Sequence, residues 1–80
     1  MPRYFFHVTD HIVYRDQIGT IYPDIYAAQA AAIRASGERL QDLGSQFFDG
    51  TEWKMEVTDE SGRNLFTLRF SVEEHGTTSE

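Results

Sequence analysis

The chain contains no cysteine. Disulfide staples, thiolate metal centres and cysteine nucleophiles are therefore excluded, and the compartment is left open. Basic residues are also scarce: 7 Lys and Arg stand against 13 Asp and Glu, a net charge of −6. A surface of that sign repels phosphate backbones and anionic lipid, so nucleic acid is disfavoured as a partner and a membrane surface is not expected. No apolar run approaches the roughly 20 residues of a membrane helix. The stretch YFFHV is too short for the core of a leader and is soon followed by Asp10. A soluble, cytoplasmic protein is the expectation. The glycines are dispersed, so no phosphate-cradling fingerprint exists. Ser36, Ser45, Ser61 and Ser71 sit in no nucleophile-elbow sequence.

What is present is enough for a folded core: 40% of the 80 residues are hydrophobic and 14% aromatic. We expect a single domain over residues 1–72 and a polar tail over 73–80. A domain this small buries a modest core and commonly gains stability by self-association.

Residues 3–9 read as a strand with Tyr4, Phe6 and Val8 on one face and Phe5, His7 and Thr9 on the other. Both faces carry bulky side chains, which raises the question of what covers the second. Thr9, Asp10 and His11 reverse the chain, and the β-prone residues 12–15 pair back. Residues 16–19 form a turn in which Gly19 supplies a positive φ. Asp24 is a helix N-cap, and the alanine-rich stretch after it has high helix propensity. At about 100° per residue, Ile25, Ala32, Ile33, Leu40 and Leu43 share the inward side, with Tyr26 at its margin. Arg34, Glu38, Gln41 and Asp42 lie opposite. Ala28 and Ala32 let the helix sit close on a sheet, and Gly44 stops it. Gly37, inside the helix, has no role that the pattern explains.

Residues 45–50 form a loop from which Phe47 or Phe48 folds back under the helix end. Residues 51–58 alternate, with Trp53, Met55 and Val57 inward. Residues 64–72 alternate again, with Phe66, Leu68, Phe70 and Val72 inward and Leu65, Thr67, Arg69 and Ser71 outward. Between them, Asp59 and Gly62 suit a three-residue loop, which sets Val57 opposite Leu65. The apolar pattern instead requires Val57 to share a face with Phe66. A two-residue loop at Ser61-Gly62 gives that register and is the expected one, since a slip by one residue exposes the whole core row. The fold class is α+β: a small, mainly antiparallel sheet in the order β-β-α-β-β with one helix packed on one face.

The opening M-P-R-Y-F-F-H-V, then Asp16-x-x-Gly19, Pro23-Asp24 with Ala27 and Ala28, and Val57-Thr58-Asp59-Glu60-x-Gly62-Arg63 together resemble a family of small bacterial proteins, a domain-of-unknown-function family. The resemblance runs to about Phe70. It implies short standalone proteins and assigns no reaction, substrate or cofactor. The element order is also similar to small antitoxin-type domains, in which an edge or open sheet face meets a partner; that analogy concerns the fold alone.

Candidates for chemistry are sparse. His7, Asp10 and His11, with Asp16 nearby, are the weak candidates for a metal site, but their spacing matches no established ligand motif. No cofactor is expected. Asp59-Glu60 and Glu73-Glu74 are adjacent acids in a turn and a tail, without the desolvating cleft that acid–base catalysis needs, and His75 is solvated in the tail. The feature that stands out is the sheet face away from the helix, where Arg3, Phe5, His7, Lys54, Thr67 and Arg69 form a locally basic patch on an acidic protein. The leading expectation is a non-enzymatic interaction module that forms a homodimer or docks a protein partner through this face or an edge strand. A small RNA-binding module on the same face is the second reading. A metal-dependent enzyme built on His7, Asp10 and His11 is the third.

Overall fold

The structure, a computed structural model, describes residues 2–49 and 52–73. The expected tail from residue 74 on, with Glu74 and His75, and Thr51 at the start of the third expected strand, lie outside the described residues. Strand β1 (Arg3–Thr9) is followed by two short segments, β2 (Val13–Tyr14) and β3 (Thr20–Ile21). Helix α1 (Ile25–Leu43) and a 3-10 turn (Gly44–Asp49) lead into the hairpin of β4 (Trp53–Thr58) and β5 (Asn64–Phe70). The sheet is antiparallel, with β4 between β1 and β5. β2 and β3 pair with opposite ends of β1 on its other side.

The helix begins where Asp24 accepts the Ala27 N–H at 2.9 Å and ends where Gly44, at φ 55°, donates its N–H back to the Leu40 carbonyl. Its buried row is Ala28, Ala32 and Ser36, spaced by one turn each. These small side chains bring the helix onto Tyr4, Trp53, Met55 and Val57, which complete the buried core. Phe6, Val8, Ile25, Leu43, Phe66, Leu68 and Phe70 pack around that core as expected, and Phe47 folds back against it while Phe48 stays exposed. Tyr22, which the pattern did not place, packs its ring against Tyr4 and Phe6.

Four expectations are corrected. Ile33 is not inward: it is 58% exposed, because the row of small residues and not the isoleucine faces the sheet. The second strand shrinks from residues 12–15 to Val13–Tyr14, and Thr20–Ile21 supplies a further short pairing. The hairpin loop has three residues, not two: Gly62 donates to the Asp59 carbonyl at 3.0 Å, Asp59 donates to the Arg63 carbonyl at 3.1 Å, and Gly62 takes φ 88°. The expected register of Val57 with Phe66 nevertheless holds, because Thr58 pairs with Asn64 and a bulge follows. Leu65 is the extra residue in that bulge, and it packs against the core instead of pointing outward.

Candidate interaction surface

The outer face of the sheet is a ladder of aligned rows. Thr9, Lys54 and Arg69 form one row, His7, Glu56 and Thr67 the next, and Phe5 with Thr58 the third. Strand alternation thus brings Phe5, His7, Lys54, Thr67 and Arg69 onto one face, as the sequence predicts.

Much of that face is already occupied by the chain itself. The loop between β2 and β3 folds over the far side of β1, and Asp16 is its anchor. One carboxylate oxygen accepts the Phe6 N–H at 3.1 Å; the other accepts those of Ile18 at 3.0 Å and Gly19 at 2.9 Å. Asp16 thus takes the place of a strand residue where neither β2 nor β3 reaches β1. Partial burial opposes its ionisation, but the N–H groups of Gly19, Phe6 and Ile18, helped by His7, outweigh burial and hold its pKa below 3.8.

His7 is fixed by the same loop. The Asp16 N–H points at Nδ1, 3.1 Å away, so Nδ1 accepts; Nε2 then carries the proton and donates to Thr58 Oγ1 at 3.1 Å. The Phe5 ring lies nearly parallel to the His7 ring, with centroids 6.5 Å apart. Arg3 donates to the Ile18 carbonyl at 2.9 Å. Gly19, at φ 77°, sits so close that a Cβ there would come within 2.8 Å of Arg3 Cγ and 2.9 Å of Phe5 Cε2. What covers the second face of the first strand is the protein's own loop.

Farther across the sheet, Thr67 is hydrogen-bonded by Asn64 at 3.3 Å, and Lys54 lies 3.9 Å from Glu56. Lys54 and Arg69 stand directly opposite each other, an unfavourable like-charge pair, and Arg69 has no ion-pair partner among the described residues.

The metal candidates are not brought together. Both ring nitrogens of His7 are engaged on the outer face, whereas Asp10 pairs with Arg39 of α1 at 3.4 Å, on the helix side. His11 is exposed, at φ 139° in the reversal. Among the described residues no group of three His, Asp or Glu side chains can hold a metal ion. No helix among them is long and apolar enough to cross a membrane.

The two sheet edges differ sharply. The outer edge of β1 is closed at both ends by β2 and β3 and in the middle by Asp16. Among the described residues nothing pairs with the outer edge of β5, a strand of 7 residues without proline or lysine. Sequence reasoning named an edge strand but not which one, since strand order is not written in local patterning.

Residues 3–71 match the domain of unknown function DUF6894. The chain belongs to that family. The DUF6894 match spans every strand and the helix described above, so the whole sheet and its two edges are the family domain. No curated protein and no solved structure matches the chain.

Proposed function

We propose that this DUF6894 protein is a small non-enzymatic interaction module that receives an extended segment of a protein partner along β5. The observation that carries this reading is the contrast between a β1 edge closed by the chain's own loop and a β5 edge that nothing among the described residues pairs with. Strand addition supplies main-chain hydrogen bonds, and side chains beside the edge supply selectivity. Here Lys54 and Arg69 favour a partner segment that places a carboxylate over them, relieving the like-charge pair. The RNA reading has less support, because Phe5 is stacked on His7 and abutted by Gly19.

The test is photo-cross-linking in the producing cell. A photo-reactive residue at Thr67 is expected to capture a discrete protein, with capture reduced when Arg69→Glu is added and absent when the probe sits at Glu60, on the hairpin tip. Equal capture from Thr67 and Glu60, or none from Thr67, overturns the proposal.

A further inference from the structure

Helix α1 carries a second apolar stripe that the monomer does not use. Tyr26, Ala30, Ile33, Gly37 and Leu40 follow one another at spacings of 4, 3, 4 and 3, the alternation of a helix-pairing seam. The stripe is centred about 120° around the helix from the buried Ala28, Ala32 and Ser36 row. Tyr26 is 73% exposed and Ile33 58%, Ala30 and Gly37 are exposed, and Leu40 is half-buried. No charged residue lies on the stripe, although the protein carries a net charge of −6.

Gly37 is the informative residue. Glycine inside a helix is unfavourable relative to alanine, and nothing among the described residues requires it: an added Cβ there meets none of their atoms within 4 Å. A glycine on an exposed helix face makes physical sense where another backbone approaches closely.

We infer that α1 pairs antiparallel with α1 of a second copy of this chain along this stripe. The occupant is specified by size. When Tyr26 is level with Gly37 of the second copy, Ile33 falls level with its Ala30, and the two-fold axis repeats both matches. Each large side chain then meets a small one. Leu40 falls level with Pro23, at the entrance of the opposing helix. An uncharged stripe also lets two acidic chains meet without placing like charges in contact. The helix has 19 residues, so the strip is about 28 Å long and about 10 Å wide. Two such strips bury about 560 Å² in total, less than a standard interface, so the pairing is a weak one and dissociation in the high micromolar to millimolar range is expected. The inference goes beyond the β5 reading and does not depend on it. A dimer joined at α1 leaves both β5 edges free and makes the module bivalent.

The test is the solution mass of the full chain by light scattering, from micromolar to millimolar concentration. The wild type is expected to approach twice the 9.2 kDa of one chain. Ile33→Glu is expected to weaken the dimer at least about tenfold, since it places a charge in a desolvated seam. Gly37→Leu separates the dimer from folding: it is expected to raise the melting temperature of the isolated chain and yet weaken association. Arg69→Glu is expected to leave the mass unchanged. A wild type that stays monomeric throughout, or a dimer that survives Ile33→Glu and Gly37→Leu but is lost in Arg69→Glu, overturns the inference.

Discussion

Gly19 and Asp16 show how much of this fold rests on single residues. Alanine at position 19 meets both a left-handed backbone at φ 77° and a 2.8 Å clash with Arg3. We predict that Gly19→Ala costs about 1–3 kcal/mol, read by chemical denaturation, whereas Gly37→Ala, with open space around it, stabilises the chain by up to about 1 kcal/mol. Asp16 stabilises through its ionised form. Its folded pKa lies below 3.8, so its contribution is fully present above that value and is lost as pH falls through the lower folded value. Asp59 is held down in the same direction by the Ser61 hydroxyl, against slight desolvation, and by the N–H groups of Arg63 and Ser61 and the Arg63 charge. Replacing Asp16 by Asn is therefore expected to flatten the acid limb of stability against pH. An acid limb identical to the wild type's would contradict the role assigned to Asp16. Trp53, 1% exposed, buries an indole N–H without a partner among the described residues. Trp53→Phe sheds that unpaired donor and keeps most of the packing against Phe70, so it is expected to cost clearly less than the roughly 3–5 kcal/mol of Trp53→Ala.

At the level of elements, the long pieces were legible because their periodicity is strong. β1, β4 and α1 follow their apolar patterns, and the Asp24 and Gly44 caps act where they stand. The misses have physical causes. The sequence reading placed Ala28 and Ala32 close on the sheet but kept Ile33 inward beside Ala32; the row of small side chains continues instead through Ser36, which turns Ile33 out. The hairpin posed a choice between turn chemistry and core pattern, and a bulge at Leu65 satisfies both. Leu65 is the extra residue, so deleting it removes the bulge and leaves the three-residue loop with Thr58 opposite Asn64 and Val57 still opposite Phe66. We predict that the deletion keeps a cooperative thermal transition, at a lower midpoint because the packing of Leu65 on the core is lost, and loss of the transition would contradict a bulge at that residue. Of the outer face, the sequence reading placed the residues on the correct side. It missed that the loop at 16–19 shields Arg3, Phe5 and His7, because nothing local announces a carboxylate standing in for a strand.

For the molecule as a whole, the sheet is asymmetric: one edge is closed by its own chain and, among the described residues, the other has no strand paired to it, which is where the proposed partner segment would add. Amide hydrogen exchange on the full chain at low concentration tests this most directly. The Phe6 amide is predicted to be protected although on that side β1 borders only the short β2 and β3, because Asp16 holds it, and it should lose protection in Asp16→Ala. Alternate amides along β5 are predicted to exchange rapidly, and to remain rapid as concentration rises if self-association runs through α1. A β5 protected at every position in dilute solution, or an unprotected Phe6 amide, would contradict the account.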